Sequence, residues 1–337
     1  MEILENYPLK DLNTFGITVH SRYFVSVTSI SELKEVLATD IVKNYPLLIM
    51  GGGSNILFTE DFSGLIILNN IKGIEIIEEN NDEVLVSSGG GEVWQDLVMF
   101  SLGKNLGGIE NLSLIPGSVG AAPIQNIGAY GVELKEVMDS LTAIELATGE
   151  ERTFSIADCD FGYRNSVFKK ELKDKYIITT VTLKLAKNPQ LNTSYGVISS
   201  LLEEKGIKEP TISDVSKAVI EIRRSKLPDP AELGNAGSFF KNPVVDKIDY
   251  EGLKLTFSDI PGYVNQDTVK IPAAWLIEQC GWKGKRLGNI GVHDKQPLVL
   301  VNHGGGTGEE IRDLSIKIRE SVITKFGIEL EVEPRII

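Results

Sequence analysis

Two glycine-rich stretches could bind a ligand through backbone N–H groups. The first, Gly51 to Asn55, follows the apolar run PLLIM at 46–50, which predicts a short buried strand. Glycines after a strand commonly bind a phosphate with main-chain N–H donors. The second, Gly108 to Gly131, is almost uncharged and has neither a helical nor a strand period. Its small residues allow close backbone approach, so we interpret it as a wall of a ligand site. An irregular glycine-rich connection is the alternative.

Neither stretch carries a standard nucleotide-binding signature. Gly51-x-Gly53 would need a glycine at position 56 for the Rossmann fingerprint, and Ile56 stands there. The sequence has no GxxxxGKS or GxxxxGKT motif. A dinucleotide would therefore bind in a non-Rossmann manner. The run from His303 to Gly306 resembles the HGGG oxyanion stretch of lipases, but no GxSxG elbow accompanies it, so we interpret it as a turn before a helix.

Composition limits the class of protein. The chain has 337 residues, enough for two or three domains, and a formal net charge of -13, which opposes general binding to nucleic acid or a membrane surface. The N-terminus lacks signal-peptide features, no apolar run reaches membrane-spanning length, and Cys159 and Cys280 form no disulfide framework. We expect a cytoplasmic protein. An anionic substrate would need a locally basic pocket, for which the candidates are Arg223, Arg224, Lys226, Lys241, Lys270, Lys283, Lys285 and Arg286.

Local patterns predict the elements that position these residues. Ser29-x-x-Glu32 and Thr307-x-x-Glu310 are capping boxes, and the second opens a long helix with one apolar face, formed by Ile311, Leu314, Ile318 and Val322. Further helices are predicted at 93–102, ending at Gly103, and at 197–204, 212–224 and 272–280. Strands are predicted at 46–50, 64–68, 83–88, 141–146, 176–185, 297–301 and 328–332. Strands and helices without regular alternation indicate an α+β fold.

Five motifs, spread in order over essentially the whole chain, resemble one family. They are GGGSNIL, IPGSVGAAPIQNIGAYG, FGYRNSVFK, SKLPDP and NAGSFFKNP. The family is UDP-N-acetylenolpyruvoylglucosamine reductase, a flavoenzyme of bacterial cell-wall synthesis. The resemblance implies a non-Rossmann, vanillyl-alcohol-oxidase-like FAD-binding region of two subdomains and a C-terminal α+β substrate-binding domain. The implied bounds are 1–70 for subdomain 1, with strand 328–337 returning to the site, 71–226 for subdomain 2, and 227–327 for the substrate-binding domain.

The resemblance also implies a reaction with two halves. NADPH gives a hydride to FAD, and the reduced flavin gives a hydride to the enolpyruvyl group of UDP-N-acetylglucosamine enolpyruvate, forming UDP-N-acetylmuramate. The carbon next to the carboxylate then needs a proton. Ser238 matches the family's general acid and Arg164 its active-site arginine, whose guanidinium can bind the carboxylate and stabilise an enolate. Glu333 matches the family's glutamate, but the neighbouring proline is displaced, so Glu331 stays an alternative.

Further residues are assigned by the same resemblance. Tyr195 matches a tyrosine of the longer subtype, on a segment that covers the substrate diphosphate, while Lys226, Asn242, Gln279 and, more weakly, Lys270 match nucleotide-sugar contacts. FAD is expected to be held non-covalently, since His20, His293 and His303 lie outside both glycine stretches. No metal is implied. The residues predicted to bind FAD are Gly51, Gly52, Gly53, Ser54, Asn55, Ile115, Pro116, Gly117, Ser118, Gly120, Ala121, Gln125, Asn126, Gly128 and Ala129.

Two other functions are compatible with the sequence. One is an FAD-dependent oxidase of the same wider superfamily, which would consume oxygen. The other is a flavin- or nucleotide-sugar-binding protein without turnover, which the combination of Arg164, Ser238 and a terminal glutamate opposes. We expect a monomer without a nucleic-acid partner and without membrane insertion.

Overall fold

A computed structural model describes residues 2–337 and divides the chain into two compact units. Unit 1 comprises residues 2–7, Ser21–Gly52 and Ser63–Ser225. Unit 2 comprises Pro8–His20, Gly53–Phe62 and Lys226–Ile337. Each unit is therefore assembled from three separate segments of the chain. The division into functional domains at residues 70, 226 and 327 stays a prediction.

Most strands are short, and the longest has 11 residues. In chain order they are β1 Leu4–Pro8, β2 His20–Val27, β3 Leu47–Met50, β4 Ile56–Leu57, β5 Phe62–Asn69, β6 Ile74–Glu79, β7 Glu83–Gly89, β8 Gly128–Ala129, β9 Val132–Glu133, β10 Met138–Glu145, β11 Glu151–Ser155, β12 Tyr176–Ala186, β13 Gly234–Ser238, β14 Val244–Asp246, β15 Tyr263–Asn265, β16 Thr268–Lys270, β17 Arg286–Leu287, β18 Ile290–Val292, β19 Val299–Asn302 and β20 Arg335–Ile336.

The helices are fewer, and most lie between strands. They are α1 Ile30–Leu37, α2 Asp40–Asn44, α3 Trp94–Gly103, α4 Gly196–Glu204, α5 Ile212–Lys226, α6 Lys247–Thr256, α7 Ala273–Gln279 and α8 Gly308–Phe326. Short 3-10 turns interrupt the second glycine-rich stretch at Val119–Ala121 and Pro123–Gln125. Within residues 2–337, every helix is too short or too polar to span a lipid bilayer.

Unit 1 contains two main sheets. The first has the order β1-β2-β5-β3, with β3 and β5 parallel from Leu47 opposite Leu65 to Met50 opposite Leu68. The second is antiparallel, with the order β11-β10-β12-β7-β6. The central strand β12 (YIITTVTLKLA) is rich in β-branched residues and mostly buried, as expected for a strand with neighbours on both sides. This second sheet packs against α3 in a core that includes Trp94, Leu97 and Val181.

Unit 2 contains the sheets β13-β19-β18-β17 and β14-β16-β15, together with the parallel pair β20-β4. Its long helix α8 begins at a complete capping box, in which Thr307 Oγ1 accepts from the Glu310 N–H and the Glu310 carboxylate accepts from the Thr307 N–H. It ends at Gly327, which adopts φ +69°. The four residues of the predicted apolar face are all buried: Ile311, Leu314, Ile318 and Val322.

The predicted α+β class is confirmed, as are the helices near α3, α4, α5, α7 and α8. Three local predictions are wrong. The capping box at Ser29 is incomplete, because the Glu32 carboxylate accepts from the Thr28 N–H at 2.7 Å. Gly103 belongs to α3, and Lys104 is the C-cap. The alternating sequence at 328–332 forms no strand, because its only ladder contact is the single bridge between Val332 and Phe240, and the strand lies later, at β20.

Candidate active site

The two glycine-rich stretches meet in unit 1. A Cβ atom placed on Gly51 would lie 2.0 Å from Ser118 Oγ, and one placed on Gly52 would lie 3.1 Å from Gly117 Cα. Gly117 itself adopts φ +115°, a conformation that side chains rarely allow. At Gly52 the two stretches therefore pack main chain against main chain, whereas at Gly51 the Ser118 side chain occupies the space that a Cβ atom would need. This contact explains why both stretches need glycine.

The second stretch is fixed to the strand–helix connection that precedes α3. The Gly120 N–H donates to the Gly90 carbonyl at 2.8 Å, and the Trp94 N–H donates to the Gly117 carbonyl at 3.0 Å. Pro116 and Ala121 remain exposed beside this fixed backbone. A rigid surface of glycine and small residues with reachable main-chain groups fits a cofactor such as FAD, held by backbone contacts rather than by charged side chains. Ile115 and Ser118 belong to the same surface.

The Asn126 side chain stabilises the fold of the second glycine-rich stretch through its hydrogen bonds. Asn126 adopts φ +45°, is fully buried, and its amide donates to Glu133 Oε2 and to the Gly162 carbonyl, both at 3.1 Å. Its Oδ1 accepts from the Lys135 N–H at 3.0 Å. These bonds occupy the amide, so any contact of Asn126 with FAD would come from its backbone. Gln125 lies next to it and accepts from Lys169 Nζ at 3.3 Å.

Arg164 lies in a strained turn of unit 1. Its backbone adopts φ +51°, and its guanidinium donates to the carbonyl of Gly128, at the end of the second glycine stretch. A Cβ atom on Gly128 would lie 3.1 Å from Arg164 Nη1, so the glycine leaves room for the arginine. Ala129 follows on the same short strand, β8. The predicted active-site arginine and the predicted FAD wall are thus in direct contact.

A second arginine lies beside Arg164. Arg223, on α5, donates from Nε to the Leu114 carbonyl at 3.2 Å and is hydrogen-bonded to Tyr130. Burial lowers the pKa of the Arg223 guanidinium, and the positive charge of Arg164 lowers it further, while Tyr130 opposes the shift. Two neighbouring cations next to the glycine-rich wall favour an anionic ligand.

Tyr195 lies at the N-cap of α4, with its ring 5.4 Å from the ring of Tyr130 in an edge-to-face arrangement. Burial raises the pKa of Tyr130, which keeps the phenol neutral. Arg164, Arg223, Tyr130 and Tyr195 therefore form one connected group in unit 1. From the sequence, Arg223 is only one of eight basic candidates and Tyr130 only part of a motif, because these contacts join residues far apart in the chain.

Ser238 ends strand β13 in unit 2 and is half-buried. The register of β13 against β19 shifts between Asn235 and Ser238, a bulge in which Gly237 adopts φ +68°. Asn235 Oδ1 accepts from the Gly237 N–H at 2.9 Å and stabilises the bulge. Bulges are frequent beside active sites because they redirect a side chain. The NAGS sequence thus provides a local reason for the orientation of Ser238.

The two candidate glutamates differ in their contacts. Glu331 forms an ion pair with Lys241 and also accepts from the Lys241 N–H through its carbonyl, at 2.9 Å. Glu333 donates its N–H to the Phe239 carbonyl at 2.9 Å, so it lies on the segment adjacent to Ser238. Glu331 thus neutralises a lysine, whereas Glu333 lies on the segment beside Ser238.

The start of the first glycine stretch belongs to unit 1 and its end to unit 2. Gly53 adopts φ +61°, and a Cβ atom there would lie 1.8 Å from the Leu12 carbonyl oxygen. Ser54 follows, and Asn55 donates from Nδ2 to the Glu333 carbonyl at 3.5 Å. The Arg335 N–H donates to the Asn55 carbonyl at 2.9 Å. The segment around Glu333 is therefore held against the end of the predicted phosphate-binding stretch.

Two of the predicted nucleotide-sugar contacts, Asn242 and Gln279, lie at opposite ends of helix α7. Asn242 Oδ1 accepts from the Ala273 N–H at 2.9 Å, at the start of α7, whereas Gln279 is the last residue of that helix. A helix of 7 residues is about 10 Å long, so the two amides lie at its opposite ends. Lys270 lies on β16, paired with Val244 and Tyr263, and Lys226 ends α5 and is exposed.

A cavity of about 560 Å³ opens elsewhere in unit 2. It is lined by the turn from Gly304 to Gly306 and the start of α8, together with Lys10, Glu60 and Glu232. None of the predicted site residues lines it, so cavity size does not identify the site in this unit. Among residues 2–337, no group of three or more His, Cys, Asp or Glu side chains could hold a metal ion.

Two family models match the chain. Residues 21–155 match an FAD binding domain, and residues 229–337 match the C-terminal domain of UDP-N-acetylenolpyruvoylglucosamine reductase. A protein of that name from Flavobacterium johnsoniae is 51% identical, with 100% of both chains covered. Another, from Pseudomonas aeruginosa, is 49% identical and covers 100% of this chain and 99% of its own.

The chain belongs to the UDP-N-acetylenolpyruvoylglucosamine reductase family. A solved reductase of this family, from Thermus caldophilus, has the same fold, with a TM-score of 0.68 at 22% identity over 99% of this chain and 98% of its own. This reductase family member is an FAD-dependent oxidoreductase of peptidoglycan synthesis. The predicted cofactor FAD is thereby confirmed, and both glycine stretches lie within the residues that match the FAD binding domain. The individual site residues stay predictions.

Proposed function

We propose that this chain reduces UDP-N-acetylglucosamine enolpyruvate to UDP-N-acetylmuramate, using NADPH and bound FAD, in the synthesis of peptidoglycan precursors. The observation that carries the proposal is the placement of Ser238 on a bulged strand whose next residue accepts the backbone N–H of Glu333. A hydroxyl and a carboxylate on neighbouring segments suit a reaction that ends with protonation of a carbon atom. When bound, FAD would supply the hydride chemistry.

Ser238 is proposed as the proton donor. A serine hydroxyl is a weak acid and protonates only a strongly basic centre in a fixed position, such as the carbanion-like carbon next to the substrate carboxylate. The bulge between Asn235 and Ser238, stabilised by the Asn235 side chain, provides this fixed position. The buried rings of Phe239 and Phe240 follow at once and anchor the strand end in unit 2.

Arg164 is proposed to bind the substrate carboxylate and to stabilise negative charge that develops on it. Its contact with the Gly128 carbonyl orients the guanidinium, and the strained backbone at φ +51° fixes the direction in which the side chain leaves the main chain. Preorganised cations of this kind act without reorganising during the reaction. Glu333 is proposed as a third catalytic residue, whose carboxylate would help to stabilise the reaction intermediate.

Tyr195, Lys226, Asn242, Gln279 and Lys270 are proposed as contacts of the UDP-sugar. A phenol can donate one hydrogen bond to a diphosphate oxygen, a lysine can neutralise one phosphate charge, and amides can recognise hydroxyls or the uracil. The neighbouring charges of Arg164 and Arg223 would add to the attraction of an anionic substrate to a protein whose net charge is -13.

Anaerobic flavin spectroscopy tests the proposal. Addition of NADPH to the purified yellow protein should bleach the flavin band, and subsequent addition of the enolpyruvyl nucleotide should restore it with formation of one equivalent of UDP-N-acetylmuramate. Replacement of the nucleotide by oxygen should restore the band much more slowly. Rapid reoxidation by oxygen together with no response to the nucleotide would instead establish an oxidase.

A further inference from the structure

Asn192, in the segment that carries Tyr195, forms hydrogen bonds with the second glycine-rich stretch through its side chain and its carbonyl. We define the Tyr195 segment as residues 187–196, between β12 and α4. Asn192 Nδ2 donates to the Gly131 carbonyl at 3.1 Å, and the Asn192 carbonyl accepts from Asn111 Nδ2 at 2.9 Å. The segment thus makes a hydrogen bond at two points of the wall that ends at Gly131.

We propose that Asn192 is a positioning residue that holds Tyr195 in the orientation required by the nucleotide substrate. The inference rests on the proposed role of Tyr195 in substrate binding and extends it to a residue that would act through Tyr195. Asn192 would act by keeping the Tyr195 segment docked on Asn111, Tyr130 and Gly131. Its loss would let the segment leave this position.

Three further contacts support the docking of the segment. Asn111 is buried and donates from the same amide to the Tyr130 carbonyl at 3.1 Å, so one amide group joins the segment to Tyr130. The Tyr130 ring then contacts the Tyr195 ring at 5.4 Å. Leu191, next to Asn192, packs against the core formed by α4 and α5. Asn192, Tyr130 and Tyr195 are therefore connected through the Asn111 amide and the contact between the two tyrosine rings.

The geometry at Gly131 is specific for this contact. Gly131 adopts φ +82°, and a Cβ atom there would lie 3.0 Å from Asn192 Nδ2. The glycine thus leaves room for the asparagine amide to approach its carbonyl. Ser194 donates from its hydroxyl to Asn192 Oδ1 at 2.9 Å, which orients the amide with its NH₂ group toward Gly131. The Asn192 NH₂ group is therefore bonded to Gly131, and the Asn192 Oδ1 atom is bonded to Ser194.

The expected effect on substrate affinity follows from the fraction of molecules in which the Tyr195 segment is docked. Affinity is reduced in proportion to the fraction of molecules in the binding-competent conformation. Without the Asn192 bond, a smaller fraction of molecules would have Tyr195 docked on Tyr130. Loss of one neutral hydrogen bond should therefore raise the dissociation constant of the nucleotide substrate about three- to tenfold. Reduction of the flavin by NADPH should not change.

Two variants of Asn192 separate donor from acceptor. Asn192→Ala removes both functions, while Asn192→Asp keeps an acceptor for Ser194 but cannot donate to the Gly131 carbonyl. Both should weaken binding of UDP-N-acetylglucosamine enolpyruvate, measured by titration of the flavin absorbance, and both should keep the wild-type visible spectrum. Gln190→Ala, an exposed position in the same segment, is the matched control and should bind like the wild type.

A double-mutant cycle tests whether Asn192 acts through Tyr195. If it does, Asn192→Ala should add little to the loss already caused by Tyr195→Phe, because coupled residues do not contribute additively. Additive losses would overturn the inference, as would wild-type binding by both Asn192 variants when Tyr195→Phe binds weakly. Wild-type binding by Tyr195→Phe would overturn the proposed role of Tyr195 and this inference with it.

Proteolysis provides a readout that needs no substrate. Chymotrypsin cleaves after exposed tyrosines, and Tyr195 is 45% exposed on the docked segment. Cleavage after Tyr195 depends on local opening, so it should be about three- to tenfold faster in both Asn192 variants than in Gln190→Ala. Equal rates in all proteins would show that Asn192 does not hold the segment, whatever the protein binds.

Discussion

The backbone N–H of Glu333 donates to the carbonyl of Phe239 at 2.9 Å, so the glutamate lies beside the residue that follows Ser238. The Lys241 N–H repeats the pairing two residues further on by donating to the Glu331 carbonyl. This short antiparallel contact fixes the relative position of two proposed catalytic residues without a full sheet. It also places Glu331 opposite the lysine that neutralises it.

Exchange of the two glutamates for glutamine should distinguish their roles. Glu333→Gln should slow flavin reoxidation by the nucleotide substrate about 10- to 100-fold, since it removes a charge placed at the substrate. Glu331→Gln, the matched control, removes only the partner of Lys241 and should leave the rate within about twofold. Stopped-flow absorbance of the flavin measures both rates. The reverse order of effects would assign the catalytic role to Glu331.

Ser238→Ala should separate the two halves of the reaction. Flavin reduction by NADPH needs no proton from this residue and should keep its wild-type rate. Reoxidation should slow by roughly 10²–10⁴-fold through loss of a general acid, and Ser238→Cys should recover part of the rate. Single-turnover measurements follow each half, with Ser258→Ala, an exposed serine of unit 2, as control. Equal slowing of both halves would indicate a structural effect on the flavin site.

Tyr195→Phe should weaken binding of the nucleotide substrate more than it slows reduction by NADPH. A hydrogen bond to a charged group contributes about 1.5–3 kcal/mol, so the dissociation constant should rise about 10- to 100-fold. Titration of the oxidised protein checks this value. Tyr23→Phe, whose ring packs with Tyr45 and Arg22, is a control for removal of a phenol hydroxyl and should bind normally.

Gly52→Ala should reduce FAD affinity. The new Cβ would lie 3.1 Å from Gly117 Cα, so the two glycine stretches would have to move apart by a few tenths of an ångström. We expect at least about a tenfold rise in the FAD dissociation constant, measured by flavin fluorescence after dialysis. Gly103→Ala, at the end of α3 with open space around its Cβ, is the control and should keep its FAD. Full FAD retention by Gly52→Ala would show that the contact tolerates a side chain.

Cys159 should be unreactive in the folded protein. Burial raises the pKa of its thiol to about 12 from an ordinary value near 9, so the nucleophilic thiolate is almost absent at neutral pH. Because the pKa of this thiol is higher in the folded than in the unfolded protein, the stability that the neutral thiol contributes is lost as the pH rises from about 9 to about 12. Iodoacetamide should label Cys159 only after denaturation, as peptide mass spectrometry can measure. Labelling of the native protein at Cys159 would contradict the burial.

Sequence patterns predicted elements whose signals are local. The capping box at Thr307 and the apolar spacing on α8 suffice because a helix satisfies its own backbone. The region 328–332 has the alternating burial of a strand, with Ile328 and Leu330 buried, yet it lacks a neighbour to pair with over its length. Strand formation depends on a partner elsewhere in the chain, which a local pattern does not contain.

The site was predictable to a similar extent. The glycine stretches were recognisable because close backbone approach requires glycine, whereas Arg164, Ser238 and Glu333 rest on motif resemblance and stay predictions. The contacts of Arg223 with Tyr130 and of Asn192 with Gly131 join residues 61 to 93 positions apart, and neither residue type is unusual where it stands. Only the folded arrangement reveals these pairs.

The assembly of each unit from three chain segments has a kinetic consequence. Unit 2 needs Pro8–His20 and Gly53–Phe62 in addition to Lys226–Ile337, and pairs such as Asn55 with Glu333 are 278 residues apart. Contacts between residues so far apart in the sequence form slowly during folding. During synthesis, the early segments of unit 2 cannot pack until Lys226–Ile337 has been synthesised. Chaperone dependence and refolding yield should therefore be governed by this delay, and excised Lys226–Ile337 should not fold by itself.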